Sequence, residues 1–342
     1  MSSSSDKSSP SKSFLSTQTL ILSAVAWAVF ALFFFLLFSR STGSGDLDRP
    51  LWYLISTYVL EQGAFLSASL LCLRNWRSSQ VISGRNVWLS IGLGMLFYFV
   101  GNLFFGYWEL VLRREPLVSL GDVFFVLSYG FLAFGMILAV TSRRLNLEKW
   151  QWATVGGIAV VGVLIAWLLS SAAPPGLTPE AATPSPAASA QRPAASPSPL
   201  PGGAQPQAAP PVSGESAESD AEDANTAGWV LTTEKYLEPL SEPLKLFYIV
   251  ADIGLLIVAT TLLLAFWGGR FSQSWRLIAA AAFCLYIADI WLNYAQTFLP
   301  DYQSGGLLEV FWVFSGVLFG AGAVLEYDVS SKATRRSSRR RG

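Results

Sequence analysis

The chain alternates between long apolar stretches and short polar segments, which is the pattern of a membrane protein. A helix needs about 20 mostly apolar residues to cross the hydrocarbon core of a bilayer. Eight stretches qualify, each bounded by Arg, Lys, Pro, Gly or Asp. Their approximate ranges are 19–39, 52–73, 88–111, 118–141, 152–171, 245–267, 276–298 and 306–327. The pattern therefore predicts an all-α membrane protein with eight transmembrane helices.

Composition excludes a soluble fold. Of the 342 residues, 52% are hydrophobic and 13% are charged, whereas soluble proteins carry roughly 25% charged residues. So few charges could not cover so much apolar surface.

Several kinds of chemistry are excluded by the residues that are missing. The chain has no histidine and two cysteines, Cys72 and Cys284, which both lie in apolar runs. Histidine-ligated haem or chlorophyll, His-based catalytic triads and ordinary zinc sites are therefore ruled out. The sequence also lacks a Walker loop and the HExxH, GxSxG and CxxC motifs. We expect no enzyme activity, no cofactor, no metal and no nucleic-acid partner.

Basic residues predict the orientation, because cytoplasmic loops carry an excess of Lys and Arg. With the N-terminus inside, 16 of the 23 basic residues fall on the inner side and 7 on the outer side. Both tails, 1–18 and 329–342, are then cytoplasmic, and the first span is an uncleaved anchor. The tryptophans near span ends are interpreted as headgroup anchors. They are Trp52, Trp76, Trp88, Trp108, Trp150, Trp152, Trp267 and Trp275.

A long outside loop, residues 172–243, separates a first membrane half (19–171, spans 1–5) from a second (244–328, spans 6–8). Up to residue 228 it consists mainly of Pro, Ala and Ser with a short acidic end. Such a composition cannot bury a core, so a disordered tether is expected. Residues 229–243 are predicted to form a short interfacial helix.

The two halves match each other at a fixed offset of 187 positions. Trp88 aligns with Trp275, and segment 119–138 aligns with 306–325. Polar positions also correspond: Asn102 with Asp289, Asp122 with Glu309, and Glu109 with Gln296; Glu61 faces Asp252 after a shift of about four residues. We interpret spans 2–4 and 6–8 as parallel three-helix repeats, related by an axis along the membrane normal. Span 1 either pairs with span 5 or is an added anchor.

Acidic and amide residues inside the spans form the candidate intramembrane polar site. Its members are Glu61, Asn102, Asp122, Asp252, Asp289, Asn293 and Glu309. Charged groups at depth are costly and face protein or water. One interpretation is a cavity for a cation, a proton or a polar ligand. The other is interhelical hydrogen bonding, with Asp122 and Glu309 acting as acids at helix starts.

The segment SLGDVFFVLSYGFLAFGMIL (119–138) resembles multi-pass membrane modules that precede diguanylate cyclase, phosphodiesterase or histidine kinase domains in bacterial signalling proteins. The resemblance rests on Asp122, Val123, Phe124, Phe125, Tyr129 and Gly130. That family often has Pro at the last of these positions. No output domain follows here, so the resemblance implies a stand-alone sensor that signals through a separate partner.

Two functions are consistent with these features. The first is a non-enzymatic membrane sensor, scaffold or assembly factor that acts through a protein partner. The alternative is a small-solute transporter with a polar site between the two repeats. A pigment-associated protein is a third idea, suggested by the aromatic content. If the protein is a transporter, Asp252 and Asp289 should converge on one cavity; in a scaffold they should be dispersed. A bacterial plasma membrane or a thylakoid membrane fits either function.

Overall fold

The computed structural model describes residues 16–39, 49–81, 83–113, 118–141, 148–171, 228–265, 272–299 and 302–339. Every regular element in these ranges is helical. The helices are α1 (Thr17–Phe38), α2 (Leu51–Arg77), α3 (Arg85–Gly106), α4 (Gly121–Thr141), α5 (Lys149–Ser171), α6 (Gly228–Leu237), α7 (Ser241–Ala265), α8 (Ser272–Phe298) and α9 (Val310–Arg339). A π-helical turn, Tyr107–Val111, extends α3, and 3₁₀ turns precede α7 and α9.

Seven helical segments are long and apolar enough to cross a bilayer, so the chain is a multi-pass helical membrane protein. They contain α1, α2, α3, α4, α7, α8 and α9. The predicted span at 152–171 coincides with α5. Its apolar stretch within the described residues, Lys149–Ile165, is shorter than the others, so the eighth crossing stays a prediction.

Six of the helices form a closed ring. In the first three-helix unit (unit one), α3 packs between α2 and α4; in the second (unit two), α8 packs between α7 and α9. The ring closes because α4 contacts α7 and α9 contacts α2. Outside the ring, α1 packs mainly against α9, and α5 packs against α7. The two units therefore meet at two separate joins.

Small residues permit the closest helix contacts, as expected for helices in lipid. At the join between α9 and α2, a Cβ added to Gly316 would lie 2.9 Å from the backbone carbonyl carbon of Ala64. Within unit one, a Cβ at Gly94 would lie 2.7 Å from the Leu132 side chain. At both positions a side chain would therefore not fit without a shift of the neighbouring helix.

The anchor interpretation of the tryptophans is wrong for three of them. Trp88, Trp108 and Trp275 are at most 1% exposed and belong to the protein interior. Position at a span end does not reveal which side of a helix is covered, and neighbouring helices bury these rings. Trp52, Trp150 and Trp152 are more than half exposed, which fits contact with headgroups. Trp267 lies outside the described residues.

The segments beyond the predicted spans differ in part from expectation. α9 continues to Arg339, twelve residues past the predicted end of the last span, into the segment predicted to be a basic tail. A salt bridge of 2.6 Å from Lys332 to Asp328 supports this extension. The predicted interfacial helix corresponds to α6, which a 3₁₀ turn connects directly to α7. Residues 172–227 of the predicted disordered loop, and residues 1–15 of the N-terminal tail, lie outside the described residues.

Candidate functional site

Two of the predicted site residues meet in the bundle interior. Asp252 of α7 and Asp289 of α8 both lie 2.6 Å from the hydroxyl of Tyr129 on α4. The indole Nε1 of Trp312 donates a 2.8 Å hydrogen bond to Asp289. Asp252 is 5% exposed, and the shared Tyr129 hydroxyl brings the two carboxyl groups together. We call Asp252 and Asp289 the central acid pair.

The central acid pair holds at least one proton in this geometry. A tyrosine hydroxyl has a single hydrogen, so Tyr129 can donate to only one of the two carboxyl groups. The hydrogen in the second short contact, between the Tyr129 oxygen and the other carboxyl group, must come from that carboxyl group. A fully ionised pair would also place two like charges together in a medium of low dielectric constant.

The central acid pair lies near the middle of the bilayer. Asp289 is nine residues before the end of α8 at Phe298, and Tyr129 is eight residues after the start of α4. At 1.5 Å per residue, nine residues correspond to about 14 Å along a helix. That is close to half of a hydrocarbon core roughly 30 Å thick.

A second polar pair lies in unit one. The side-chain amide of Asn102 on α3 donates a 2.6 Å hydrogen bond to the Glu61 carboxyl on α2. Asn102 is buried, and Glu61 keeps part of its surface accessible. The structure thus pairs four of the predicted residues: Glu61 with Asn102, and Asp252 with Asp289 through Tyr129.

Asp122 and Glu309 lie at helix starts. The Asp122 carboxylate accepts hydrogen bonds from the Ser119 backbone N–H at 2.7 Å and from the Tyr248 hydroxyl at 2.7 Å. Glu309 accepts from the Gly305 backbone N–H at 2.6 Å and from the Tyr302 hydroxyl. Both acids therefore satisfy backbone donors that the helix leaves unpaired.

Hydrogen bonds connect the turn that precedes α9 to the N-terminal end of α2. Arg49 donates to the Ser304 carbonyl at 2.7 Å, and the Tyr53 hydroxyl donates to the Gly305 carbonyl at 2.7 Å. Gly305 has a φ of +96°, a conformation that side chains disfavour. Burial, followed by the charge of Glu309, raises the pKa of Tyr302 in this turn.

Asn293 does not belong to either polar pair. It lies on α8 one turn beyond Asp289, where its backbone carbonyl accepts a hydrogen bond from the Thr297 hydroxyl. Its side chain makes no hydrogen bond to the described part of the chain. Sequence position alone placed it in the candidate site.

The prediction missed the aromatic residues that hold the acids. They are Tyr58, which donates to Glu109, together with Tyr129, Tyr248, Tyr302 and Trp312. A buried Tyr or Trp generally finds a partner for its polar tip. In the sequence, a Tyr or Trp in the interior of a span that also contains, or faces, an acid would therefore have indicated such a partner.

Tyr98 of α3 is an exception among these aromatic residues. It is 5% exposed, and its ring stacks on Phe65 with centroids 4.1 Å apart. Its hydroxyl makes no hydrogen bond within the described ranges.

Fold and site together define an integral membrane protein with a proton-holding acid pair inside a helical ring. No group of three or more His, Cys, Asp or Glu residues that could hold a metal occurs in the described part of the chain. In comparisons with known proteins, no family model, no curated protein and no solved structure matches this chain.

Proposed function

We propose that this protein is a proton-coupled transporter of a small solute, with the central acid pair as its proton-binding site. The observation that carries the proposal is the Tyr129 hydroxyl between two carboxyl groups. Tyr129 belongs to unit one, whereas Asp252 and Asp289 belong to unit two. A contact that needs a proton therefore joins the two units.

Loss of that proton would change the join between the units. Two ionised carboxylates repel each other, and Tyr129 can satisfy only one of them. The protonated and deprotonated forms thus favour different positions of α4 relative to α7 and α8. In transporters with internal repeats, rocking of one repeat against the other around a midplane site gives alternating access.

The proposal includes a duplicated, eight-span arrangement with both termini in the cytoplasm. It is supported by the equivalent packing order of the two units. The polar pairs correspond as well: Asn102 bonds to Glu61 on the preceding helix, and Asp289 shares the Tyr129 hydroxyl with Asp252 on its preceding helix. A bacterial plasma or thylakoid membrane and the absence of enzyme activity are parts of the same proposal.

Proton-linked transport provides the test. The full chain is reconstituted into liposomes that contain a pH-sensitive dye, and alkylammonium ions, sugars, amino acids and organic anions are added in turn. We expect one class to drive proton movement, and we expect Asp252→Asn and Asp289→Asn to abolish it at unchanged expression. The matched control is Asp328→Asn, which removes an acid at the inner end of α9. Proton movement that survives Asp289→Asn, or that no class elicits, contradicts the proposal.

A sensor or scaffold that acts through a protein partner is the second candidate. It is favoured by the saturation of the acids, because every candidate carboxyl has a hydrogen-bond partner within the protein. The resemblance of segment 119–138 to bacterial signalling modules supports the same candidate. Cross-linking in native membranes followed by purification tests it: a stoichiometric partner is expected for a sensor, and its loss on Asp289→Asn would link the partner to the acid pair.

A further inference from the structure

We propose that the proton of the central acid pair resides on Asp252 and that the Tyr129 hydroxyl relays it to Asp289. Trp312 is the positioning residue that keeps Asp289 ionised. This inference rests on the proposed transport function and specifies how its proton site works. Three hydrogen-bond contacts carry it: those of the Tyr129 hydroxyl to each acid, and that of the Trp312 indole to Asp289.

Asp289 is the better placed of the two acids to be ionised. Its Oδ1 accepts the Trp312 Nε1–H at 2.8 Å, and its Oδ2 lies 2.6 Å from the Tyr129 hydroxyl, so both oxygens contact an aromatic donor. Among the described residues, Asp252 contacts a single aromatic donor, Tyr129, through Oδ1. An indole N–H only donates, and hydrogen bonds donated to a carboxyl group favour its charged form. The proton that the pair requires is therefore assigned to Asp252.

Burial favours the same assignment. Asp252 is 5% exposed, whereas Asp289 keeps part of its surface accessible. Because a charge costs more at the more buried position, the neutral, protonated form belongs on Asp252.

The corresponding positions of unit one lack both the charge and its indole donor. At the offset of 187 positions, Asp289 aligns with Asn102. Trp312 aligns with Phe125 at the same offset. Phe125 packs close to Asn102, since a Cβ added to the preceding residue, Gly101, would lie 2.8 Å from the Phe125 ring. A phenyl ring offers no N–H, so the indole donor accompanies the acid and is absent beside the neutral amide.

The three contacts then define a directed chain of hydrogen bonds. The Asp252 O–H donates to the Tyr129 oxygen, and the Tyr129 O–H donates to Asp289 Oδ2. In the transfer step, the Asp252 O–H bond breaks as a new O–H bond forms on Tyr129, and the original Tyr129 hydrogen moves to Asp289. Tyr129 is neutral before and after, and the net change is one proton moved from Asp252 to Asp289. Trp312 opposes this change, because its N–H then faces a neutral acceptor, so Asp252 is the resting position of the proton.

The relay depends on how the two units are arranged. Both acids belong to unit two, whereas the relay hydroxyl of Tyr129 belongs to unit one. Displacement of α4 from α7 and α8 would remove the hydroxyl and leave the proton on the acid that then holds it. The proton can therefore change acids only while the join between α4 and α7 is closed.

Infrared difference spectroscopy of the full chain in liposomes at neutral pH locates the proton. The C=O stretch of a protonated carboxyl absorbs at different frequencies in Asp and Glu, so each conservative variant marks its own position. We expect Asp252→Glu to shift one band, Asp252→Asn to remove it, and Asp289→Glu to leave it unchanged. Asp328→Glu, at an acid that is salt-bridged to Lys332, is the control and should also leave it unchanged. A band that shifts in Asp289→Glu and not in Asp252→Glu would overturn the assignment.

Trp312→Phe tests the indole, because it keeps an aromatic ring and removes the N–H. The protonated fraction of Asp289 should rise about tenfold, the effect of losing one hydrogen bond to a charged group, and should give a band that Asp289→Glu now shifts. Trp291→Phe is the matched control, since it removes an indole N–H that donates to Tyr302 at 3.1 Å, outside the acid pair. A wild-type spectrum in Trp312→Phe would show that Trp312 does not position the proton.

Tyr129→Phe separates this inference from the proposed function. It removes the relay and should abolish solute-driven proton movement while the band that marks Asp252 remains. Proton movement at the wild-type rate in Tyr129→Phe would overturn the relay and leave the transport proposal intact. If the spectra assign the proton to Asp252 but no solute class moves protons through the wild type, the transport proposal fails and the assignment stands. If neither acid variant changes any band, the proton site itself is wrong.

Discussion

Trp88 and Trp275, which occupy equivalent positions of the two units, contact each other in the bundle interior. Their ring centroids are 5.9 Å apart, and neither side chain is exposed. Each lies in the first turn of the middle helix of its unit. If the two units are copies, as proposed above, the axis that relates them passes close to this pair.

Because both rings are fully buried, truncating either should destabilise the protein. We expect Trp88→Ala and Trp275→Ala each to lower the free energy of unfolding by about 3–5 kcal/mol, the usual cost of removing a large buried aromatic residue. The double variant should lose less than the sum, since both changes remove the same contact. Reversible unfolding in detergent micelles measures all three. Fully additive losses would contradict a direct contact between the two rings.

The fold was largely predictable and the site only in part, for one physical reason. Hydrophobic length determines whether a helix can cross the membrane, and seven of the predicted spans are confirmed. Side-chain direction depends on which helices become neighbours. Apolar periodicity says little about neighbours here, because lipid and protein interior are equally apolar. Hence Asp252 and Asp289 were recognised as candidates, whereas Tyr129, which joins them from another unit, was not.

The central acid pair should make stability depend on pH. Deprotonation leaves two carboxylates with one donor hydroxyl, so the unfolding temperature of the wild type should fall as pH rises. In Asp252→Asn the side-chain amide donates to the Tyr129 oxygen without any titrating proton, so the fall should be much smaller. Thermal unfolding from acidic to alkaline pH is the measurement, with Asp328→Asn as a variant that keeps the wild-type slope. Parallel curves for all three proteins would contradict the shared proton.

The join between α9 and α2 should tolerate no side chain at Gly316. A methyl group there would press on the Ala64 backbone, which cannot move away without shifting α2. We expect Gly316→Ala to destabilise the protein by about 1–3 kcal/mol through overpacking. Gly130→Ala is the matched control, since nothing lies within 4 Å of its added methyl. This change should be neutral or stabilising by up to about 1 kcal/mol, because Ala favours helix more than Gly.

The predicted orientation can be tested with two single cysteines. Tyr236→Cys, on α6 before α7, should react with a membrane-impermeant maleimide in intact cells. Lys332→Cys, near the end of α9, should react only after the membrane is opened. Both positions are exposed at 80% and 69% of the side chain, respectively, and the buried Cys72 should remain unlabelled. Labelling of both introduced cysteines from the same side would overturn the proposed topology.

Converting the pair of unit one into a copy of the central acid pair tests whether the units are equivalent. Asn102 and Asp289 align. Asn102 donates to Glu61 on the preceding helix, and Asp289 shares the Tyr129 hydroxyl with Asp252 on its preceding helix. Asn102→Asp would place two carboxyl groups at the 2.6 Å separation now bridged by an amide hydrogen, which again requires a bound proton. We therefore expect this variant to fold at acidic pH and to lose stability at alkaline pH more steeply than the wild type. Its infrared spectrum should show one additional protonated carboxyl per chain.

Asn293→Asp, which adds an acid outside both pairs, is the control. If the two variants titrate alike, the Glu61–Asn102 pair is an ordinary interhelical hydrogen bond and not the counterpart of the site in unit two.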